Sequence, residues 1–189
     1  GSLANCYATV NVKVGPDGTV HVGGIVGYGD NKSTISHTYA TGDVETGTED
    51  NNRYAGGICG YLRNDGTLTN SLAVNGQIIG GNSHSNRIVG HKESDGTLGT
   101  NYASPEIQVN GQTISSGAAN EANGNDEITL KDFETKLKEG GSNDWDNAWT
   151  FPTDGSLPQL KLKGGEDPDG NPIYFDWSSS SQQPIPASD

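Results

Sequence analysis

The chain has 189 residues, a formal net charge of −13, 30% hydrophobic residues and 28 glycines. That acidity argues against nucleic-acid phosphates and anionic membrane surfaces as partners. The glycine content argues against a helix-rich fold, because glycine inside a helix costs roughly 1 kcal/mol relative to alanine, and no apolar run approaches the ~20 residues of a membrane-spanning helix.

The chain opens on Leu3-Ala-Asn-Cys-Tyr-Ala-Thr9, passes the turn Gly15-Pro-Asp-Gly18, and reaches the strand candidate Val22–Tyr28. Further candidates follow at Ile35–Glu45, Ala55–Leu62, Leu68–Ile79 and Leu98–Val109, separated by the turn-forming stretches Gly29-Asp-Asn31, Asn64-Asp-Gly66 and Ser94-Asp-Gly96. Two elements recur about every thirty residues. Val22-Gly-Gly-Ile-Val-Gly-Tyr28 returns as Ala55-Gly-Gly-Ile-Cys-Gly-Tyr61 and, altered, as Asn86-Arg-Ile-Val-Gly-His91; the opening element returns from Ile35, Leu68 and Leu98. Such a period is the signature of a repeat architecture whose units bury their apolar faces against one another.

Stacked strands lie ~4.8 Å apart, so each unit reads as one coil of a parallel β-helix with two or three strands. The expected fold is all-β, a solenoid of three to four coils closed by a small C-terminal cap containing one helix. Aligning the coils gives an apolar column Leu3, Ile35, Leu68, Leu98 and a small one Ala8, Ala40, Ala73, Ala103. A third holds Val12, Val44 and Ile107, with Gln77 as the misfit. The uneven spacing between columns requires a bend or bulge near Asn5. Because the first coil begins in mid-repeat, the chain reads as a piece of a longer protein.

Three regions are expected: repeats over 1–115, a cap over 116–163 and a polar tail or linker over 164–189. Thr129-Leu-Lys-Asp132 reads as a capping box opening a helix over 130–139. Trp145, Trp149, Phe151, Leu157, Leu160 and Leu162 then form the densest bulky apolar stretch, suited to covering the last coil or, alternatively, to an aromatic platform for sugars. Ile173–Trp177 is a hydrophobic patch expected to dock on the cap as an edge strand, the alternative being a sticky segment for a partner.

Catalytic chemistry is hard to find in the pattern. A β-helix hydrolase or lyase needs acids stacked on one face, yet Asp43 aligns with Asn11, Gly76 and Glu106, and Glu45 with Lys13 and Ile78. The four histidines fall at unrelated positions, with no Ser/His/Asp or HExxH arrangement. Lys13 and Glu45 read as a cross-coil ion pair. Glu166-Asp-Pro-Asp-Gly-Asn171 reads as an Asp-Gly turn, since the closing acid of a calcium loop is replaced by Ser178. Cys6 and Cys59 read as buried thiols used as small core residues, with no metal-binding spacing. No catalytic residue, metal or cofactor is expected.

One pattern carries binding. Tyr7, Tyr39 and Tyr102 share a column interrupted by Leu72, and Tyr28 and Tyr61 share another with His91. Two roles are open for these tyrosines: stacking that ties coils together, or an exposed stripe for sugar faces or a partner protein.

The combination Gly-Gly-Ile-Val-Gly-Tyr, then Thr-Ile-Ser-x-x-Tyr-Ala-Thr-Gly-Asp-Val, resembles the GLUG motif of bacterial surface proteins, including immunoglobulin A peptidases and adhesins. The resemblance is clearest over 22–44, good over 55–74 and partial over 1–14 and 86–107. Arg87 departs from it at the second glycine and His91 at the tyrosine. It implies a non-catalytic module at the cell surface or outside the cell, acting by adhesion to a host or bacterial surface protein or glycan. The alternative it leaves is a spacer or accessory module of a larger surface peptidase or glycan-degrading enzyme.

Overall fold

The computed structural model describes residues 1–15, 18–48, 52–114, 122, 124, 126–127, 149–150, 157–160, 162–166, 172–175 and 184–185. The chain divides into two compact units, Gly1–Lys136 and Leu137–Asp189.

The first unit is a β-solenoid of about three turns, built from four ladders of short parallel strands. The first ladder stacks β3 (Val20–Gly23), β7 (Arg53–Gly56) and β12 (Ser85–Asn86), and the second stacks β4 (Val26–Gly29), β8 (Cys59–Leu62) and β13 (Val89–Lys92). The third runs through β1 (Ser2–Ala8), β5 (Thr34–Ala40), the pair β9 (Thr67–Thr69) and β10 (Leu72–Ala73), then β14 (Thr97–Leu98) and β15 (Tyr102–Ala103), and ends on β18 (Asp126–Glu127). The fourth stacks β2 (Val12–Lys13), β6 (Val44–Glu45), β11 (Gln77–Ile79) and β16 (Gln108–Val109). The expected two or three strands per coil become four, because the Gly-Gly corner splits Val22–Tyr28 into two arms that fold against each other.

Two of the three expected columns hold residue for residue. Leu3, Ile35, Leu68 and Leu98 are in register, as are Ala8, Ala40, Ala73 and Ala103. The third is corrected: Val12 and Val44 continue into Ile78 and Val109 rather than Gln77 and Ile107. The connection after Ala73 is one residue longer than that after Ala40, and the one after Ala103 is longer by another. Each added residue slides the next strand along the ladder, so that an apolar side chain still enters the core. Asp43 accordingly faces Gln77 and not Gly76, and its Oδ1 accepts the Gln77 amide at 2.9 Å.

The bend expected near Asn5 recurs at each of the first three levels. Asn5, His37 and Asn70 all adopt positive φ, at 55°, 53° and 50°. This kink breaks the in-out alternation and lets residues on both sides of it point inward. Tight turns with positive φ at both central residues, Asn31–Lys32 and Asn64–Asp65, join the second ladder to the third. A similar turn at Asn110–Gly111 reverses the chain, so that β17 (Gln112–Thr113) pairs antiparallel on β16 and terminates the fourth ladder.

The interior holds Ile35, Ala40, Val44, Ile58, Leu62, Leu68, Ala73, Ile78, Ile88 and Ile107, all essentially buried. Burying each of the larger aliphatic side chains stabilises the fold by about 1.5–3 kcal/mol. Cys59 is fully buried, and burial pushes its thiol up to about 12. Cys6 is half-buried, so the expectation of two buried thiols holds fully for Cys59 alone; both are free. The column continuing from Cys6 is polar and buried: Thr38 Oγ1 donates to Ser71 Oγ at 3.1 Å, and the Ser71 amide donates to Asn101 Oδ1 at 3.1 Å.

In the second unit, β19 (Trp149–Thr150) pairs antiparallel with β20 (Gln159–Leu160), and the Trp149 side chain is buried. A three-stranded antiparallel sheet follows: β21 (Leu162–Glu166), β22 (Pro172–Phe175) and β23 (Pro184–Ile185). The edge strand expected at Ile173–Trp177 is corrected: Pro172–Phe175 forms β22, the central strand of this sheet, because both of its edges find a partner, and 176–177 lie outside the described residues. The expected helix over 130–139, its capping box and most of the Glu166–Asn171 turn lie outside the described residues.

Candidate functional site

The motif's glycines set the geometry of the site. A Cβ on Gly60 would sit 2.5 Å from the Val22 amide nitrogen and 2.6 Å from the Gly27 carbonyl oxygen. One on Gly90 would sit 2.5 Å from the Gly60 oxygen and 2.7 Å from the Ala55 nitrogen. The arms formed by the first two ladders therefore approach to a separation that only glycine permits. Side chains pointing outward from the two arms then meet along one face.

That face carries six rings in two neighbouring columns. His21 is in register with Tyr54, and His84 lies at the next level of the same column, adjoining the Ser85–Ala55 pair. Tyr28, Tyr61 and His91 are in register in the other column. Within columns, His21 stacks on Tyr54 with centroids 4.9 Å apart, and Tyr28 on Tyr61 at 5.4 Å. Tyr54 lies 4.6 Å from His84, and Tyr61 lies 5.2 Å from His91. Between columns, His21 meets Tyr28 edge-on at 4.9 Å, Tyr54 meets Tyr61 edge-on at 4.8 Å, and His84 meets His91 edge-on at 4.9 Å. Edge-to-face and offset contacts of this kind contribute about 0.5–1.5 kcal/mol per pair beyond area burial.

The rim is polar. The Arg63 guanidinium lies over the Tyr28 ring at 5.3 Å and pairs with Asp30 at 3.4 Å. The Tyr61 hydroxyl donates to Glu93 Oε1, and the same oxygen lies 4.0 Å from His91 Nε2. Burial, with the Glu93 carboxylate adding to it, pushes the Tyr61 phenol up to about 12. Burial also lowers His21, with Arg63 contributing, and lowers His91, where His84 and Lys92 contribute and Glu93 opposes. Both imidazoles are therefore held toward the neutral form. The result is a face of ring edges and imidazoles with one charged pair at the rim. Among the described residues, no group of three His, Cys, Asp or Glu is arranged to hold a metal ion.

Of the five tyrosines singled out in the sequence, Tyr28 and Tyr61 belong to this face, Tyr28 being 39% exposed and Tyr61 9%. Tyr7 and Tyr39 stack at 5.2 Å in the third ladder, and Tyr102 continues their column beyond Leu72. Tyr39 and Tyr102 are buried, 1% and 8% exposed, while Tyr7 is 43% exposed. The histidines are a correction. His21, His84 and His91 do not sit at unrelated positions but share one cluster, and Tyr54 is its second central ring. The signal was present in the numbering, since 21, 54 and 84 have the same spacings as 28, 61 and 91.

The fold defines a β-solenoid repeat domain. Residues 18–45 match the family model of the GLUG motif, spanning both arms of the first complete coil and its third and fourth strands. No catalytic family is identified, and no curated protein and no solved structure matches this chain.

Proposed function

We propose that this chain is a non-catalytic adhesion module of a bacterial cell-surface or secreted protein, presenting the tyrosine–histidine face to a surface protein or glycan. The observation that carries the reading is the six-ring cluster itself, repeated over three levels with Tyr28 and His91 reaching solvent. Tyrosines contribute large rigid contact area to interfaces for little conformational entropy. Weak contacts repeated along a solenoid, and across many copies on a surface, multiply into useful avidity. Neither metal nor cofactor has a part in this mechanism.

A second reading, a spacer or accessory module of a larger surface peptidase or glycan-degrading enzyme, is favoured by the burial of Tyr39, Tyr61 and Tyr102, whose rings serve packing. Binding of the labelled chain to an array of host glycans, mucins and matrix proteins separates the two. Adhesion requires a saturable hit that weakens at least tenfold in Tyr28→Ala while the far-ultraviolet spectrum stays unchanged. An array without a hit supports the spacer.

A further inference from the structure

One carboxylate oxygen on the ring face serves two groups. Glu93 Oε1 accepts the Tyr61 hydroxyl and stands 4.0 Å from His91 Nε2. With His91 neutral, the phenol is the donor in place. With His91 protonated, the imidazolium competes for that oxygen with a full positive charge, whereas the phenol is a neutral donor, so the attraction between opposite charges favours the imidazolium.

We propose that Glu93 is a proton-controlled latch: at neutral pH it holds the Tyr61 hydroxyl, and on acidification it passes to the His91 imidazolium and frees Tyr61. This regulation rests on the reading of the ring face as a binding surface. The exchange takes one proton from solvent onto His91 and changes no covalent bond. Its effect spreads because Tyr61 is central, touching Tyr28, His21, Tyr54 and His91.

The surroundings fix where the latch acts. His91 faces His84, Tyr54 and Tyr61, with Lys92 beside it on β13 and Glu93 as its acidic neighbour. His21 faces Tyr28, Tyr54, Tyr61 and the Arg63 charge, and Arg63 is itself paired with Asp30. A proton on His21 therefore meets a like charge, whereas one on His91 meets a carboxylate within reach. Burial, together with His84 and Lys92, places the His91 transition below the ordinary value of 6.5.

The test is the near-ultraviolet circular dichroism of the tyrosines, followed from about pH 7.5 to about pH 5. The expected result is one reversible change with its midpoint below 6.5 and an unchanged far-ultraviolet spectrum. His91→Tyr, which repeats the tyrosine of the two preceding levels, and Glu93→Gln should each flatten that change. A flat wild-type trace, a trace retained in either variant, or loss of the far-ultraviolet signal over the same range would overturn the latch. The readout needs no ligand, so an empty binding array defeats the adhesive reading and leaves this result to be judged separately. Where the array gives a hit, its affinity should fall at least threefold from the neutral to the acid end in wild type, and that ratio should approach one in His91→Tyr whatever the variant's affinity at neutral pH.

Discussion

Gly60 and Val22 belong to successive coils, yet their backbones approach so closely that a Cβ on Gly60 would stand 2.5 Å from the Val22 amide nitrogen. That single approach explains the Gly-Gly-Ile-x-Gly pattern and the ring face together. Arms held apart by side chains would carry two separate columns of rings, whereas arms in backbone contact bring the columns within about 5 Å of each other at all three levels.

Gly60→Ala is accordingly expected to be severe. The new methyl would strike backbone atoms of Val22, Gly27 and His21, none of which can rotate away. A loss of about 3 kcal/mol or more is expected, at the upper end of overpacking effects. Gly15→Ala, where nothing lies within 4 Å, should change stability by less than about 0.5 kcal/mol. Urea denaturation of the pair checks this; equal effects would mean that the arms can separate.

Tyr54 is the sharpest test of the cluster. It touches His21, Tyr61, His84 and His91. Tyr54→Ala removes four ring contacts from a half-buried position, and a loss of about 2–4 kcal/mol is expected. Tyr54→Phe keeps the ring and should fall within about 1 kcal/mol of wild type. If alanine proves as harmless as phenylalanine, the ring contacts contribute nothing to the fold.

How far the sequence discloses the molecule depends on where the coils change length. The Leu3–Leu98 and Ala8–Ala103 columns are legible because each strand reaches them through equal spacing from the repeat's start. Beyond Ala73 the connections lengthen, and alignment by counting places Gln77 and Ile107 where Ile78 and Val109 belong. The ring face is half legible. Tyr28 and Tyr61 stand out by identity, whereas His21, Tyr54 and His84 form a column of two residue types and announce themselves only by spacing. That the two columns touch is invisible in one dimension, since it follows from how closely glycines let the arms pack.

The two cysteines give a chemical check on burial. Cys59 is fully enclosed, its thiol raised to about 12 by desolvation, and its Sγ donates to the Tyr61 carbonyl at 3.3 Å. Cys6 is half-buried on β1, in the third ladder. A disulfide reagent at about pH 8 should therefore label Cys6 in the native protein within minutes and Cys59 only after denaturant is added, because the thiolate is the reacting form. Rapid native labelling of both thiols would show that the second ladder opens freely.

Acid should weaken the fold through the histidines even as it relieves the net charge of −13. His21 and His91 are lowered from 6.5 in the folded chain, mainly by burial. Above 6.5 both rings are neutral in the folded and unfolded states, and the stability they allow is fully present. As pH falls below 6.5 the unfolded chain takes up protons that the folded chain refuses, so stability declines until the folded rings also titrate. The urea midpoint should therefore be lower at about pH 5.5 than at about pH 7.5, and the drop should shrink in the double variant His21→Tyr with His91→Tyr. That variant preserves the rings and keeps every carboxylate, so the comparison isolates the imidazoles from the general acid response. An identical drop in both proteins would place the sensitivity in the carboxylates instead.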